Sequence, residues 1–208
     1  MHLTQTSRYL ALLGLVLGGV ATAISFYTNI PEQMELGRSF FGAMFHFFSF
    51  YTNWTNILLV LIYIDLFKGF SGMSSAVTGV TGLSSIIMVM IVYHFLLSAT
   101  HHPVGIDKIT NVIMHYITPM LFTLFWITSR HIGALKWRDL YKFILFPMAF
   151  LVFTYIKAAI TGEYPYDFLN YSLNGFSGVA PIIGAIVILI LFLSSIAILY
   201  DNKNSDAQ

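Results

Sequence analysis

Polar side chains open an otherwise apolar segment in the first third of the chain. Positions 45–56 read FHFFSFYTNWTN, and an apolar run follows from Ile57 to Phe67. Residues three and four apart share a face of a helix, so a helix here would carry its polar side chains on one side. These side chains are Ser49, Thr52, Asn53 and Asn56. Buried hydroxyls and amides cost free energy unless they find hydrogen-bond partners. Such a cluster in a membrane either joins helices or forms a site.

A second polar stripe carries a histidine. Asn111, His115 and Thr118 are spaced to lie on one face of a helix, and Pro119 follows them. A proline removes the N–H that would bond the carbonyl four residues earlier, which is that of His115, so we expect a bend there. An ionisable residue within a membrane span is a functional-site hypothesis by default. The alternative for His115 is a hydrogen bond to a neighbouring helix.

A hydroxyl and a histidine together suggest acyl transfer. A hydroxyl nucleophile needs a histidine base within hydrogen-bond reach, in a pocket that excludes water. Thr52 or Ser49 could supply the hydroxyl and His115 the base. For Ser49, Asn53 and Thr55 the sequence favours interhelical hydrogen bonds, worth roughly 0.6–2 kcal/mol each.

Two other chemistries rank below the hydrolase. A metal enzyme would recruit several histidines, since imidazole is a common metal ligand. The candidates are His94, His101, His102 and His115. No pair has the His-x-x-x-His spacing, and carboxylates are missing at that depth. A transporter would need paired charges at mid-membrane, whereas Asp65 and Lys157 lie near the ends of their segments, where both can snorkel.

The composition is that of an integral membrane protein. Hydrophobic residues make up 57% of the 208 and charged residues only 9%, against about 25% charged residues in soluble domains; the mean hydropathy is +0.78. The chain has no cysteine, which excludes disulfides, thiolate nucleophiles and sulfur-ligated metals. A formal charge of +1 offers no basic surface to nucleic acid.

A membrane-spanning helix needs roughly 20 apolar residues, and six segments qualify. They are Tyr9–Tyr27, Phe41–Leu66, Val77–Leu97, Ile109–Thr128, Leu140–Ile160 and Phe176–Tyr200. Punctuating residues separate them at 29–31, 68–72, 100–103, 130–133 and 161–175. We therefore expect an all-α polytopic protein, a single six-helix bundle over 1–200 with a loose polar tail over 201–208. The sequence carries no signal for the oligomeric state.

The basic residues predict that both termini are cytoplasmic, since short cytoplasmic loops are rich in Lys and Arg. That orientation puts seven basic residues inside: Arg8, Lys68, Arg130, Lys136, Arg138, Lys142 and Lys203. It puts three outside: Arg38, Lys108 and Lys157.

This topology brings the polar residues together in the outer half of the bundle. Thr52 lies about 15 Å and His115 about 9 Å from the outer ends of their inward-running helices, at 1.5 Å per residue. His94 lies shortly before the outer end of an outward-running helix. The loop over 161–170, rich in tyrosine and acid, should cover the outer mouth, where Lys157 can pair with Glu163 or Asp167.

Three motifs in this order resemble those of the androgen-induced protein family. They are Tyr51-Thr52-Asn53-Trp54-Thr55-Asn56-Ile57-Leu58, His115-Tyr116-Ile117-Thr118-Pro119 and Thr161-Gly162-Glu163-Tyr164-Pro165-Tyr166-Asp167-Phe168-Leu169. The family includes the androgen-dependent regulator of tissue factor pathway inhibitor and bacterial six-helix relatives. The resemblance spans most of the chain. The interval from the histidine to the proline is one residue shorter than in the animal proteins, as it is in the bacterial relatives.

The resemblance implies a multipass hydrolase that cleaves fatty acid esters of hydroxy fatty acids. It implies Thr52 as nucleophile and His115 as base; Ser49 and Thr55 lie close enough to be alternative nucleophiles.

We further expect a lipid ester to enter from the outer leaflet, with no cofactor and no metal. Asn53 or Asn56 would donate to the oxyanion, Asn111 or a carbonyl would orient His115, and His94 and Tyr166 would lie on the pocket's rim. The rival hypothesis is a non-catalytic lipid-binding or transport bundle, with a histidine-ligated metal enzyme as a further alternative.

Overall fold

The computed structural model describes residues 3–69, 72–129 and 133–205. In these ranges the chain is helical apart from its connections, so the predicted all-α class is confirmed. The α-helices are α1 (Gln5–Glu35), α2 (Phe40–Phe47), α3 (Tyr51–Lys68), α4 (Ala76–Val92), α5 (Gly105–Val112), α6 (Thr118–Thr128), α7 (Leu140–Thr161) and α8 (Tyr171–Ser205). Short 3₁₀ helices precede α7 (Trp137–Asp139) and α8 (Asp167–Leu169).

Five helical stretches within the described ranges are long and apolar enough to cross a membrane. They are Gln5–Glu35, Ala76–Leu97, Gly105–Thr128, Trp137–Thr161 and Tyr171–Asn204. Helices α2 and α3 meet at a bend of 81° and make a sixth if together they form one broken span. A fold of five or six candidate spans therefore agrees with the predicted architecture.

The prediction of one continuous helix over Phe41–Leu66 is wrong, because the chain breaks between α2 and α3. Side chains that follow the break donate hydrogen bonds to the backbone carbonyls at the end of α2. Asn53 Nδ2 donates to the Phe47 carbonyl at 2.7 Å, and Trp54 Nε1 donates to the Phe48 carbonyl at 2.7 Å. Carbonyls satisfied by side chains no longer need a following helical turn. The predicted single polar face over Ser49–Asn56 therefore does not exist.

Two other predicted boundaries move. Helix α1 continues through the predicted break at 29–31 to Glu35, because Pro31 accepts helical φ and removes a single backbone hydrogen bond. The predicted loose tail begins instead as helix: α8 runs to Ser205, and buried Asp201 accepts the Leu135 N–H at 3.0 Å. Residues 1–2, 70–71, 130–132 and 206–208, including Arg130 of the charge comparison, lie outside the described residues.

Helices α3 and α6 run in the same direction and both pack against α1 and α4, which positions the site. Tyr63 of α3 packs against Phe122 and Phe125 of α6, with ring centroids 5.6 and 5.4 Å apart. Helix α1 approaches this cluster at Gly14, where a Cβ would lie 2.5 Å from the Tyr63 hydroxyl oxygen. Because both helices are held along their length, their N-terminal ends meet. Thr52 lies at one of these ends.

An ion-pair cluster holds the loop that follows α7. Glu163 contacts Arg38 at 2.8 Å and Lys157 at 3.3 Å. The Lys157 side chain is only 4% exposed, so Glu163 supplies its charge partner. Arg38 also donates to Gln33 Oε1 at 2.9 Å. The predicted pairing of Lys157 with Glu163 is confirmed, and it joins the end of α1 to the end of α7.

The Glu163 pairs predict a pH-dependent stability. Hydrogen bonding from Arg38, followed by that from Lys157, holds the pKa of Glu163 below its usual range. Because the folded pKa is depressed, the stabilisation is present above the unfolded pKa of about 4.3 and is lost as pH falls through the folded pKa. Since the carboxylate is partly exposed, we expect Glu163→Gln to cost about 1 kcal/mol at pH 7. Thermal unfolding should show this difference at pH 7 and lose it below pH ~4. A difference between the two proteins that is constant with pH would contradict the assignment.

Candidate active site

Thr52 and His115 lie within hydrogen-bond distance, although 63 positions separate them in the chain. Thr52 Oγ1 is 3.1 Å from His115 Nε2. Thr52 is the second residue of α3, and His115 lies in the segment between α5 and α6. The predicted proximity of these two side chains is therefore observed.

The hydrogen bond of His115 Nδ1 determines which of the two ring nitrogens can act as a base. Nδ1 lies 3.0 Å from the backbone carbonyl oxygen of Asn111. Because a carbonyl only accepts hydrogen bonds, Nδ1 carries the proton and Nε2 is free to accept. The Thr52 hydroxyl therefore donates to Nε2, which is the arrangement a general base requires. Asn111 orients His115 as expected, through its carbonyl rather than its side chain.

The ring of Tyr93 packs against the face of the His115 imidazole. Its ring stacks on that of His115, with centroids 3.9 Å apart and planes at 27°. The Asn111 side chain donates to the Tyr93 hydroxyl at 2.7 Å. Asn111 therefore hydrogen-bonds both rings: that of His115 through its backbone carbonyl, and that of Tyr93 through its side chain. Sequence reasoning missed Tyr93, because no motif distinguished it from its neighbour His94.

The two segments that carry these rings are π-helical turns. They span Tyr93–Leu97 after α4 and Ile113–Ile117 between α5 and α6. A π turn bonds each N–H to the carbonyl five residues back, and such turns often occur at functional sites. In the described chain, these two π turns carry Tyr93 and His115, whose rings are in contact.

Pro119 and Asn56 stabilise the second π turn. In a π turn, the N–H of residue 119 would bond the carbonyl of Met114, five residues earlier. Pro119 has no N–H, so this carbonyl needs another donor. This carbonyl accepts instead from the hydroxyl of Thr118 at 3.1 Å and from Asn56 Nδ2 at 3.4 Å. Asn56 Oδ1 also accepts from the Thr118 hydroxyl at 2.9 Å. The polar side chain of Asn56 thus joins α3 to the turn that carries His115.

The hydrogen bonds separate Thr52 from its neighbours. Ser49 donates to the Phe45 carbonyl at 2.6 Å, and Thr55 donates to the Tyr51 carbonyl at 3.0 Å. Both hydroxyls are almost fully buried. Neither hydroxyl is directed at a histidine, so among the three hydroxyls only Thr52 has a base as its partner.

The predicted oxyanion donors are engaged elsewhere. Asn56 Nδ2 donates to the Thr52 carbonyl at 2.9 Å as well as to that of Met114, which uses both of its protons. Asn53 Nδ2 donates to the Phe47 carbonyl at 2.7 Å. Through these bonds, the side-chain amides of Asn53 and Asn56 stabilise the backbone around Thr52.

Tyr166, in the loop between α7 and α8, brings a phenol to the start of α3. Its hydroxyl accepts the Tyr51 N–H at 3.0 Å, one residue before Thr52. Burial raises the pKa of Tyr166 to about 12, so the phenol keeps its proton at neutral pH. The N-cap Phe50 has no side-chain cap, and the Tyr166 hydroxyl also interacts with the backbone N–H and the side-chain hydroxyl of Thr52. The start of α3 thus offers an O–H and an N–H beside the Thr52 hydroxyl.

Two cavities of opposite character meet at this point. The first lies between α4, α7 and α8 and is lined by hydrocarbon, with only Thr52 and the hydroxyls of three tyrosines as polar groups. The second, with a volume of about 550 Å³, is lined mainly by polar residues of α1, α5 and the loops before α5 and α8, and it includes His115 and Asn111. Thr52, Tyr93 and Tyr166 line both cavities. The Thr52–His115 pair therefore sits where an apolar group and a polar group can be held at once.

The remaining histidines do not join the pair. His94 is exposed, lies outside both cavities and has its Nδ1 3.3 Å from the Tyr116 hydroxyl. His101 and His102 line the polar cavity. Across the described residues, no group of three or more His, Asp or Glu side chains is arranged to hold a metal ion.

Comparison with protein-family models, curated proteins and solved structures finds no match to this chain.

Proposed function

We propose that this protein is an integral membrane hydrolase of lipid esters, with Thr52 as nucleophile and His115 as general base. One observation carries the proposal: Thr52 Oγ1 lies 3.1 Å from a ring nitrogen that the Asn111 carbonyl leaves free to accept a proton. The resemblance to the androgen-induced protein family supports the same two residues. It also implies fatty acid esters of hydroxy fatty acids as one substrate class.

The reaction is a double displacement. Thr52 Oγ attacks the ester carbonyl carbon while its proton moves to His115 Nε2. The tetrahedral intermediate expels the alcohol, which takes that proton, and an acyl-threonine remains. Water then attacks the acyl group, again giving its proton to Nε2, and the fatty acid leaves as Thr52 recovers its proton. The histidine is oriented by a carbonyl, so the catalytic unit is a dyad.

The oxyanion is stabilised by the start of α3. The Thr52 N–H and the Tyr166 O–H both lie beside the nucleophile, and the helix N-terminus adds a partial positive charge. A broken span exposes these groups at membrane depth, as discontinuous helices do in transporters. Asn53 and Asn56 support the backbone that presents these groups.

Replacing Tyr166 with phenylalanine is expected to lower kcat by about 10²-fold, the usual effect of losing one oxyanion donor. KM should change little, since the phenol acts on the transition state. Binding of a trifluoromethyl ketone analogue, measured as Ki, should weaken in parallel with kcat. Tyr164→Phe is the matched control, because Tyr164 lines neither cavity. A Tyr166→Phe variant with unchanged kcat would exclude the phenol as a donor.

The site lies in the outer half of the membrane in this proposal. The chain crosses six times, with α2 and α3 as one broken span and both termini in the cytoplasm, as the distribution of basic residues favours. The outer loop with Tyr166 then faces the outside. The hydrocarbon cavity between α4, α7 and α8 admits an acyl chain from the bilayer.

Reaction with a fluorophosphonate tests the function directly. The purified protein in neutral detergent should be labelled, and mass spectrometry should place the phosphonyl group on the peptide that contains Thr52. Thr52→Val, which keeps the side-chain volume, should not be labelled, whereas Ser49→Ala and Thr55→Val should be. Labelling on Ser49 or Thr55 would reassign the nucleophile. The absence of labelling in folded wild-type protein would favour a non-catalytic lipid-binding bundle.

A further inference from the structure

The two cavities that meet at Thr52 differ in the groups they can accept, and this difference bears on the substrate. The inference rests on the proposed ester hydrolysis. An ester has an acyl side and an alcohol side, and its carbonyl carbon must lie at Thr52 Oγ. The two sides of the ester must therefore extend into the two cavities.

The apolar cavity suits the part of an acyl chain next to the ester. Its volume is about 80 Å³, and the side chains along it come from α4, α7 and α8. Met88, Val92, Met148 and Ile186 are among the side chains that line it. A narrow hydrocarbon-lined space excludes charged groups, because they would lose hydration without gaining a partner. The first methylene groups of the fatty acyl chain fit here, and the rest of the chain extends beyond the cavity.

The polar cavity suits the alcohol. It is larger, about 550 Å³, and three carboxylates line it: Glu32, Asp107 and Asp167. Asp107 accepts a hydrogen bond from the Thr28 hydroxyl at 3.0 Å. Amide and hydroxyl groups of Asn29, Asn53, Thr100 and Asn111 complete the wall.

The wall of this cavity disfavours anions. None of its lining residues is a lysine or an arginine. A carboxylate or phosphate on the alcohol would therefore face like charges without a cation to pair with, whereas hydroxyl groups would find both donors and acceptors.

We propose that the substrate is a single fatty acyl chain esterified to a small polar alcohol without negative charge, of the glycerol type. The acyl chain lies between α4, α7 and α8, and the alcohol hydroxyls lie in the polar cavity beside His115. Esters of hydroxy fatty acids fit less well, because their alcohol side brings a second hydrocarbon chain and a carboxylate into the polar cavity.

Three palmitoyl esters test this assignment: monopalmitoylglycerol, palmitoylglycerol phosphate and the palmitoyl ester of hydroxystearic acid. In neutral detergent, we expect kcat/KM for monopalmitoylglycerol to exceed that for each of the others by at least about tenfold, a modest electrostatic discrimination. In Asp107→Asn/Asp167→Asn, the preference for monopalmitoylglycerol over palmitoylglycerol phosphate should fall several-fold. Glu35→Gln removes a carboxylate from the outer end of α1 that does not line the cavity, and it should leave the preference unchanged.

Equal or faster cleavage of either anionic ester would overturn the substrate assignment, as would a preference that the double variant leaves unchanged. Cleavage of none of the three by protein that still reacts with the fluorophosphonate at Thr52 would overturn it as well, while leaving the hydrolase proposal standing. Loss of both reactions would overturn the hydrolase proposal itself.

Discussion

Thr52→Ala is expected to lower kcat for ester hydrolysis by at least about 10⁴-fold, since a serine hydrolase loses about 10⁶-fold in kcat without its nucleophile. The variant retains the cavities and the backbone donors, so residual binding of the ester should persist. Steady-state hydrolysis of a fluorogenic acyl ester measures the effect. Thr52→Ser keeps a hydroxyl at the same position and should retain most of the activity.

Two neighbouring hydroxyls provide the controls. Ser49 and Thr55 donate to carbonyls of their own chain segment, at 2.6 and 3.0 Å. Thr55→Val and Ser49→Ala should therefore change stability more than kcat. If Thr52→Ala retained more than about a tenth of the wild-type kcat, Thr52 could not be the nucleophile.

His115→Gln is expected to lower kcat by at least about 10³-fold, since a general base contributes typically 10²–10⁴-fold and here also returns the proton to the leaving group. Glutamine keeps a polar side chain of similar reach but cannot take up the proton. Reaction of Thr52 with the fluorophosphonate should slow in parallel, because the same proton must leave. Stopped-flow labelling and steady-state hydrolysis together measure both effects.

His94→Gln is the matched control for the histidine. His94 lies on the other π turn, outside both cavities, and bonds the Tyr116 hydroxyl at 3.3 Å. Its replacement should leave kcat within a few-fold of wild type. Thermal unfolding of both variants separates catalysis from folding, because His115→Gln also loses the ring that stacks on Tyr93 at 3.9 Å. A folded His115→Gln protein with wild-type labelling rate would remove His115 from the mechanism.

Much of the fold could be predicted because hydropathy acts locally. Long apolar runs separated by glycine, proline and charge predict helices of spanning length, and the helical stretches appear at those positions. The pairing of Lys157 with Glu163 was also accessible, since a cation near a helix end needs a nearby anion. The expected depths put Thr52 and His115 in the same half of the bundle, and the family resemblance selected this pair, whose side chains lie 3.1 Å apart.

The details of the site could not be predicted, because they depend on competition for backbone carbonyls. Asn53 and Trp54 bond carbonyls at the end of α2, and the chain turns by 81° where a hydropathy pattern continues. Asn56 was a candidate oxyanion donor, yet it bonds the Met114 carbonyl across the bundle. Tertiary contacts of this kind have no periodic signature in a sequence.

The sequence by itself determined the all-α class and most of the long apolar helices, since apolar runs need no knowledge of neighbours, and depth along a helix put Thr52 and His115 at a similar level. The tertiary structure alone decided how Thr52 is presented: at the start of α3, between a hydrocarbon cavity and a polar one. It also decided that Tyr93, rather than His94, accompanies His115. The physical reason is that a π turn rotates the following residues relative to an α-helix, and only packing between helices determines where such a turn is stable.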